Sequence, residues 1–154
     1  MMKLVNQEDP KWASVTIGHS SSSIKRYGCT ISCLSMLSDW YGKFFDPKYM
    51  AKNLVFNNNG EIIWNSITDN PHMPMKFVWR YYGYDEAHLL PALKGKDTSV
   101  LLRINLVIKG KTFVHWVVGI RKVGNLYYVA DPLGGYRHFI NRSAITGFTV
   151  LEKR

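Results

Sequence analysis

Apolar positions fall at helical spacing between residues 29 and 54, then switch to strand-like runs from residue 100 onward. Ile31, Leu34, Leu37 and Tyr41 recur three and four apart and Gly42 follows as a stop, so the pattern predicts a helix beginning near Cys29. Asp46-Pro47 opens a second helix, with Asp as N-cap and Pro at the first helical position, carried through Tyr49, Met50 and Leu54. Glu61 to Thr68 reads as a third, short helix, and Asp85 to Leu93 as a fourth in spite of Pro91.

The second half reads as strands. Val100 to Ile108 is followed by a tight turn at Lys109-Gly110-Lys111, and Phe113 to Ile120 by a turn over Arg121 to Asn125. Leu126 to Ala130 makes a third strand, and Phe148 to Leu151 closes the set. Helices first and an antiparallel meander after them define an α+β fold. The chain shows no internal repeat, and Ser20-Ser21-Ser22-Ser23 is too brief to separate domains, so residues 1–154 form one domain.

At 46% hydrophobic and 20% charged, a chain of 154 residues buries enough surface to fold without a disulfide or a metal. The run Phe113 to Val118 falls far short of the roughly 20 residues that span a bilayer, so no transmembrane segment is expected. The N-terminal residues lack the apolar stretch of a secretory signal. The expected site of synthesis is therefore the cytoplasm, with phage-type release or another route for any action outside the cell. No Cys-x-x-Cys or His-Glu-x-x-His occurs, so neither a metal nor a cofactor is expected.

Charge is lopsided. Residues 94–154 hold eleven Lys and Arg against three acids, while residues 1–93 are nearly neutral. A basic half next to abundant Trp and Tyr suits an anionic polymer as partner: a cell-wall polymer, an anionic membrane or nucleic acid. With no block of five like charges, the same excess also reads as ordinary solubilising charge.

Candidate chemistry centres on two thiols and a histidine. On a helix, Cys29 and Cys33 would have Cβ atoms about 6 Å apart, beyond the roughly 3.5–4.5 Å a disulfide needs. Cys29 follows Gly28 at the predicted helix start, where the dipole and free N–H groups activate a thiol; Cys33 lies one turn in and reads as a small buried hydrophobe. His115 is the histidine placed inside a strongly apolar strand, and a polar ring there needs a hydrogen-bonding partner. A turn centred near Val123-Gly124 sets His115 opposite residues 130–134, where Asp131 is the ionisable side chain. Asp131 also begins a good turn sequence, Asp-Pro-Leu-Gly-Gly, so a purely structural role competes with the chemical one.

The chain resembles the C39-like peptidases of bacteria and phages, within the papain-like superfamily. The resemblance rests on Gln7-Glu8-Asp9 with Trp12-Ala13, Gly18, Ser23-Ile24, Gly28-Cys29-Thr30 and Met36-Leu37. It continues in Trp40-Tyr41-Gly42, Asp46-Pro47, His115-Trp116-Val117-Val118-Gly119, and Tyr128 to Pro132 with Gly134-Gly135. It implies a papain-like fold, with the nucleophile helix packed on a C-terminal antiparallel sheet. It also implies a Cys29–His115–Asp131 triad, with Gln7 helping to hold the oxyanion. The implied activity is that of a cysteine peptidase or amidase hydrolysing peptide bonds, with cell-wall peptides the preferred substrate. One departure stands out: Thr30-Ile31 follows Cys29 where the family carries Gly-Pro. A catalytically idle binding or inhibitor protein on the same fold, and a basic nucleic-acid-binding protein, therefore stand as alternatives.

Overall fold

A computed structural model describes residues 2–154, with helices gathered on both faces of one antiparallel sheet. The helices are α1 (Ile24–Tyr27), α2 (Cys29–Trp40), α3 (Pro47–Asn53), α4 (Asn65–Asp69) and α5 (Glu86–Lys94). The strands are β1 (Met75–Tyr82), β2 (Thr98–Ile108), β3 (Lys111–Val123), β4 (Leu126–Asp131), β5 (Tyr136–Asn141) and β6 (Ile145–Lys153). Among the described residues no helix is long and apolar enough to cross a membrane.

The helix expected at Cys29 runs to Trp40, and Asp46 caps α3 by accepting from the Tyr49 N–H at 2.8 Å. Gly28 joins α1 to α2 too tightly for a side chain: a Cβ there would lie 2.4 Å from the Ile24 carbonyl oxygen. Every residue from Ile31 to Ser38 is buried, so the serines between the apolar positions lie inside as well. Buried serines make this possible where they bond locally, as when the Ser38 hydroxyl donates to the Ser35 carbonyl and accepts from the Phe45 N–H. Helix α5 carries Pro91 in its interior and begins at an Asp85 cap.

The sheet order is β1-β6-β2-β3-β4-β5, all antiparallel. Strands β2 to β4 are the expected meander and β5 extends it; β6 returns to the far side of β2, and β1 pairs outside β6. On one face α2 packs its Leu34 and Leu37 in a core with Leu101, Val118, Ala130 and Leu151. On the other, Leu89 and Ala92 of α5 meet Leu102, Val117, Val129 and Phe148. Adjacent residues of each inner strand thus serve opposite cores, which is why β2 reads as a continuous apolar run rather than an alternating one.

Four expectations need correction. The third helix spans Asn65–Asp69 only; Ile62 instead bridges Phe56 across a loop tied by the Asn57 side chain, which accepts from the Asn59 and Glu61 N–H groups. Strand β3 continues to Val123, so Arg121 to Val123 belong to the hairpin arm and Gly124-Asn125 make the turn, with Gly124 at φ 61°. The sheet begins at Met75, ahead of α5, so it is not confined to the C-terminal part of the chain. Strands β1 and β5, absent from the pattern-based reading, form its two edges.

Candidate active site

Cys29 is the first residue of α2, so its N–H and those of Thr30 and Ile31 belong to the turn that has no carbonyl of its own to bond; the first bond of the helix runs from Ser32 to Gly28. The thiol of Cys29 is partly exposed. One turn on, Cys33 is fully buried and points its sulfur at the Trp116 carbonyl oxygen, 3.4 Å away, fastening α2 to β3 beside His115. Burial, and after it the charges of Cys29 and Asp131, push the Cys33 thiol well above its ordinary range.

His115 and Asp131 come from neighbouring strands. The β3–β4 ladder pairs Val118 with Ala130, and continuing it sets Asp131 opposite Val117, one diagonal step from His115. His115 Nε2 lies 2.7 Å from Asp131 Oδ1, and both side chains are buried, at 6% and 4% exposure. With Nε2 held by the carboxylate, Nδ1 is the ring nitrogen left for Cys29. Burial is the largest single influence and works against a charge on His115, but the hydrogen bonds to Asp131 and Cys29 and the charges of both together outweigh it. The ring is pushed up to about 9, so it is an imidazolium at neutral pH.

Asp131 is both the turn-former and the histidine's partner. Its Oδ1 also accepts from the Leu133 N–H at 2.9 Å, and its carbonyl accepts from Gly135 N–H at 3.1 Å. The second carboxylate oxygen meets His138 Nε2 at 2.8 Å. Burial alone would raise the Asp131 carboxyl; the His115 hydrogen bond and charge, then His138 and the Leu133 N–H, bring it below its usual value. His138 escaped the sequence reading because β5 was not assigned, so no register placed it. Pairing about the four-residue turn Pro132 to Gly135 would have set it against Val129, two residues from Asp131.

Gln7 lies next to this group and bonds to Lys25 and Pro132, not to Cys29. It is 3% exposed, its side-chain amide donates to the Lys25 carbonyl at 3.0 Å, and its backbone N–H donates to the Pro132 carbonyl at 2.9 Å. Its Oε1 is buried without a partner, and the second amide hydrogen remains for another acceptor. Gln7 therefore links the segment before the Cys29 helix to the turn after Asp131. The structure thus brings Cys29, His115 and Asp131 into one cluster, adds His138, and holds Gln7 at its edge.

Beside Cys29 opens a cavity of about 450 Å³ whose wall includes Trp64, Trp116, Tyr82, Arg80 and Arg103. Among the described residues no group of three or more His, Cys, Asp or Glu is placed to hold a metal ion. Neither a protein-family model nor any curated protein matches the chain.

Proposed function

We propose that the protein is a cysteine hydrolase of papain-like architecture that cleaves peptide amides, with cell-wall peptides ahead of proteins as substrate. The observation that carries this reading is a partly exposed cysteine at a helix N-terminus, beside a buried histidine that a buried carboxylate holds in place. That combination is what thiol acyl transfer requires. A helix-borne thiol set against neighbouring antiparallel strands that bear the histidine and the acid also fits the resemblance carried by Gly28-Cys29, His115-Trp116 and Asp131-Pro132.

In this mechanism Cys29 works as a thiolate paired with the His115 imidazolium. The sulfur attacks the amide carbonyl, forming the C–S bond and an oxyanion that the Cys29 N–H and the free amide hydrogen of Gln7 receive. His115 then gives its proton to the departing amine nitrogen as the C–N bond breaks. Water next attacks the thioester; the neutral ring takes the water's proton, the C–S bond breaks, and the ion pair is restored. Asp131 stays ionised throughout and keeps the ring oriented.

Purified peptidoglycan and a set of synthetic peptides provide the test, followed by mass spectrometry of released fragments with the Cys29→Ala variant alongside. Fragments released by the native chain and not by the variant are expected. Alkylation of Cys29 without any cleavage would instead support a binding protein on this scaffold, and an inert Cys29 would remove the enzyme reading altogether.

A further inference from the structure

The wall of the cavity beside Cys29 carries a feature that the triad does not use. Arg80 of β1 and Arg103 of β2 approach each other across β6, the strand between them. Arg80 lies over Gly147, whose backbone pairs with Tyr82 on one side and with Arg103 on the other. The missing side chain is what admits Arg80: a Cβ on Gly147 would lie 2.6 Å from the Arg80 guanidinium. Arg80 is held flat, 4.2 Å from the Tyr82 ring centroid and 5.0 Å from that of Trp116, and it donates to the Tyr81 carbonyl. Arg103 is fixed by donating to the Thr146 hydroxyl at 2.7 Å.

Neither guanidinium has a carboxylate. Among the described residues the ion pairs involve Lys76, Lys122 and three histidines, and none includes Arg80 or Arg103. Glu61 lies on the same cavity wall, but it is exposed and bonded to the Asn57 side-chain amide. Two half-buried like charges repel each other and lose hydration, so such a pair is unfavourable until an anion joins it. Burial first, and then the neighbouring Arg103 charge, pull Arg80 below its ordinary value against the opposing effect of Tyr82. The cost is accepted at one place, in a cavity that Cys29 also lines.

Resting on the hydrolase reading above, we infer that Arg80 and Arg103 form a carboxylate-binding subsite that selects peptides bearing an acidic group next to the bond presented to Cys29. The planar forks match a carboxylate in a bidentate fashion, which a lysine pair would not. The aromatic frame of Trp64, Trp116 and Tyr82 gives the rest of the peptide an apolar surface. A cavity of about 450 Å³ takes a few side chains, not a duplex, so the anion it fits belongs to a peptide.

Binding to the Cys29→Ala variant tests the subsite without any chemistry. Calorimetry would compare three short peptides: one with a single glutamate and blocked ends, its glutamine counterpart, and the glutamine peptide with a free C-terminal carboxylate. The glutamate peptide, the free-acid peptide or both should bind about tenfold or more tightly than the blocked glutamine peptide, the size of one charge-assisted bidentate contact. Which of the two does so identifies the source of the carboxylate. In Arg80→Gln and Arg103→Gln, each checked for folding by near-UV circular dichroism, the preference should collapse toward unity. Gly147→Ala should weaken it with both charges retained. Equal affinities for all three peptides, no binding of either acidic one up to millimolar concentration, or a preference that survives in both arginine variants would overturn the inference. None of these outcomes bears on whether Cys29 is a nucleophile, which the alkylation and cleavage measurements decide separately.

Discussion

Replacing Asp131 with asparagine separates its two roles. The amide oxygen can still accept from the Leu133 N–H and from His115 Nε2, now at 2.9 and 2.7 Å, so the turn and the ring position are kept. The amide nitrogen then faces His138, which must switch to its accepting tautomer. What disappears is the negative charge. The rise of His115 to about 9 corresponds to about 3 kcal/mol in favour of its protonated form, at 1.36 kcal/mol per unit. Cys29 supplies part of that, so losing the carboxylate lowers the ring by on the order of one to two units. At pH 8 the native ring is about nine-tenths protonated; in Asp131→Asn the protonated fraction should be clearly smaller. In the proposed mechanism the imidazolium supplies the leaving-group proton, so the alkaline limb of the activity profile should move from about 9 toward neutrality, with the maximum rate lower by orders of magnitude. The same shift appears in stability. A raised histidine value stabilises the fold fully below about pH 6.5, and that contribution is lost as pH rises through about 9. Thermal unfolding at pH 6.5 and pH 10 should therefore differ more in the native chain than in the variant. An alkaline limb that stays near pH 9 in Asp131→Asn would refute the reasoning, and so would a variant that fails to fold.

Three further outcomes are expected. Iodoacetamide at pH 6 should label Cys29 much faster than Cys33, since only Cys29 is exposed and beside a charged ring; peptide mapping reads the ratio, and equal slow labelling would mean two structural thiols. His138→Ala takes a donor from Oδ2 and leaves Asp131 a stronger acceptor for His115, so the alkaline limb should rise, and His138→Gln, which keeps a donor there, should return it toward the native position; a limb that falls as in Asp131→Asn would refute this role. Gln7→Ala should cost about 1–3 kcal/mol in chemical denaturation because it leaves the Lys25 carbonyl without its donor, and should also lower kcat if Gln7 receives the oxyanion.

How much of this was legible in the chain depended on burial. Helix α2 and the β3–β4 hairpin announce themselves because each packs on a core, and burial imposes periodicity. The hairpin register was readable to within two residues because Gly124 marks its turn, and that was enough to bring His115 to Asp131. The two unassigned strands are sheet edges, where half the residues face solvent and alternation fades. In β1 a bulge between Phe77 and Trp79 shifts the phase as well, and Trp79 and Tyr82 are 61% and 83% exposed. The missed side chains of the site, His138 and Arg80, sit on those two edges. A sum of charges over residues 94–154 also fails to single out the arginine pair, since Arg80 lies outside that stretch and meets Arg103 only through the strand order.

The strap formed by the N-terminal segment has a consequence for folding kinetics. The Gly134 N–H donates to the Asn6 side chain across 128 positions, and Gln7 reaches both Lys25 and Pro132. Contacts of such long range close late, because their loop entropy is repaid only once the intervening sheet exists. During synthesis, the segment that bears the sulfur emerges well before the strands that bear its histidine and acid. At a few to about 20 residues per second, that interval lasts on the order of five to twenty seconds. Until it ends, Cys29 is an ordinary cysteine without its imidazolium. If the proposed hydrolysis is this protein's activity, a nascent chain is thereby kept from acting on its neighbours, and a fragment that stops short of Asp131 would be as inert as one that lacks the sulfur.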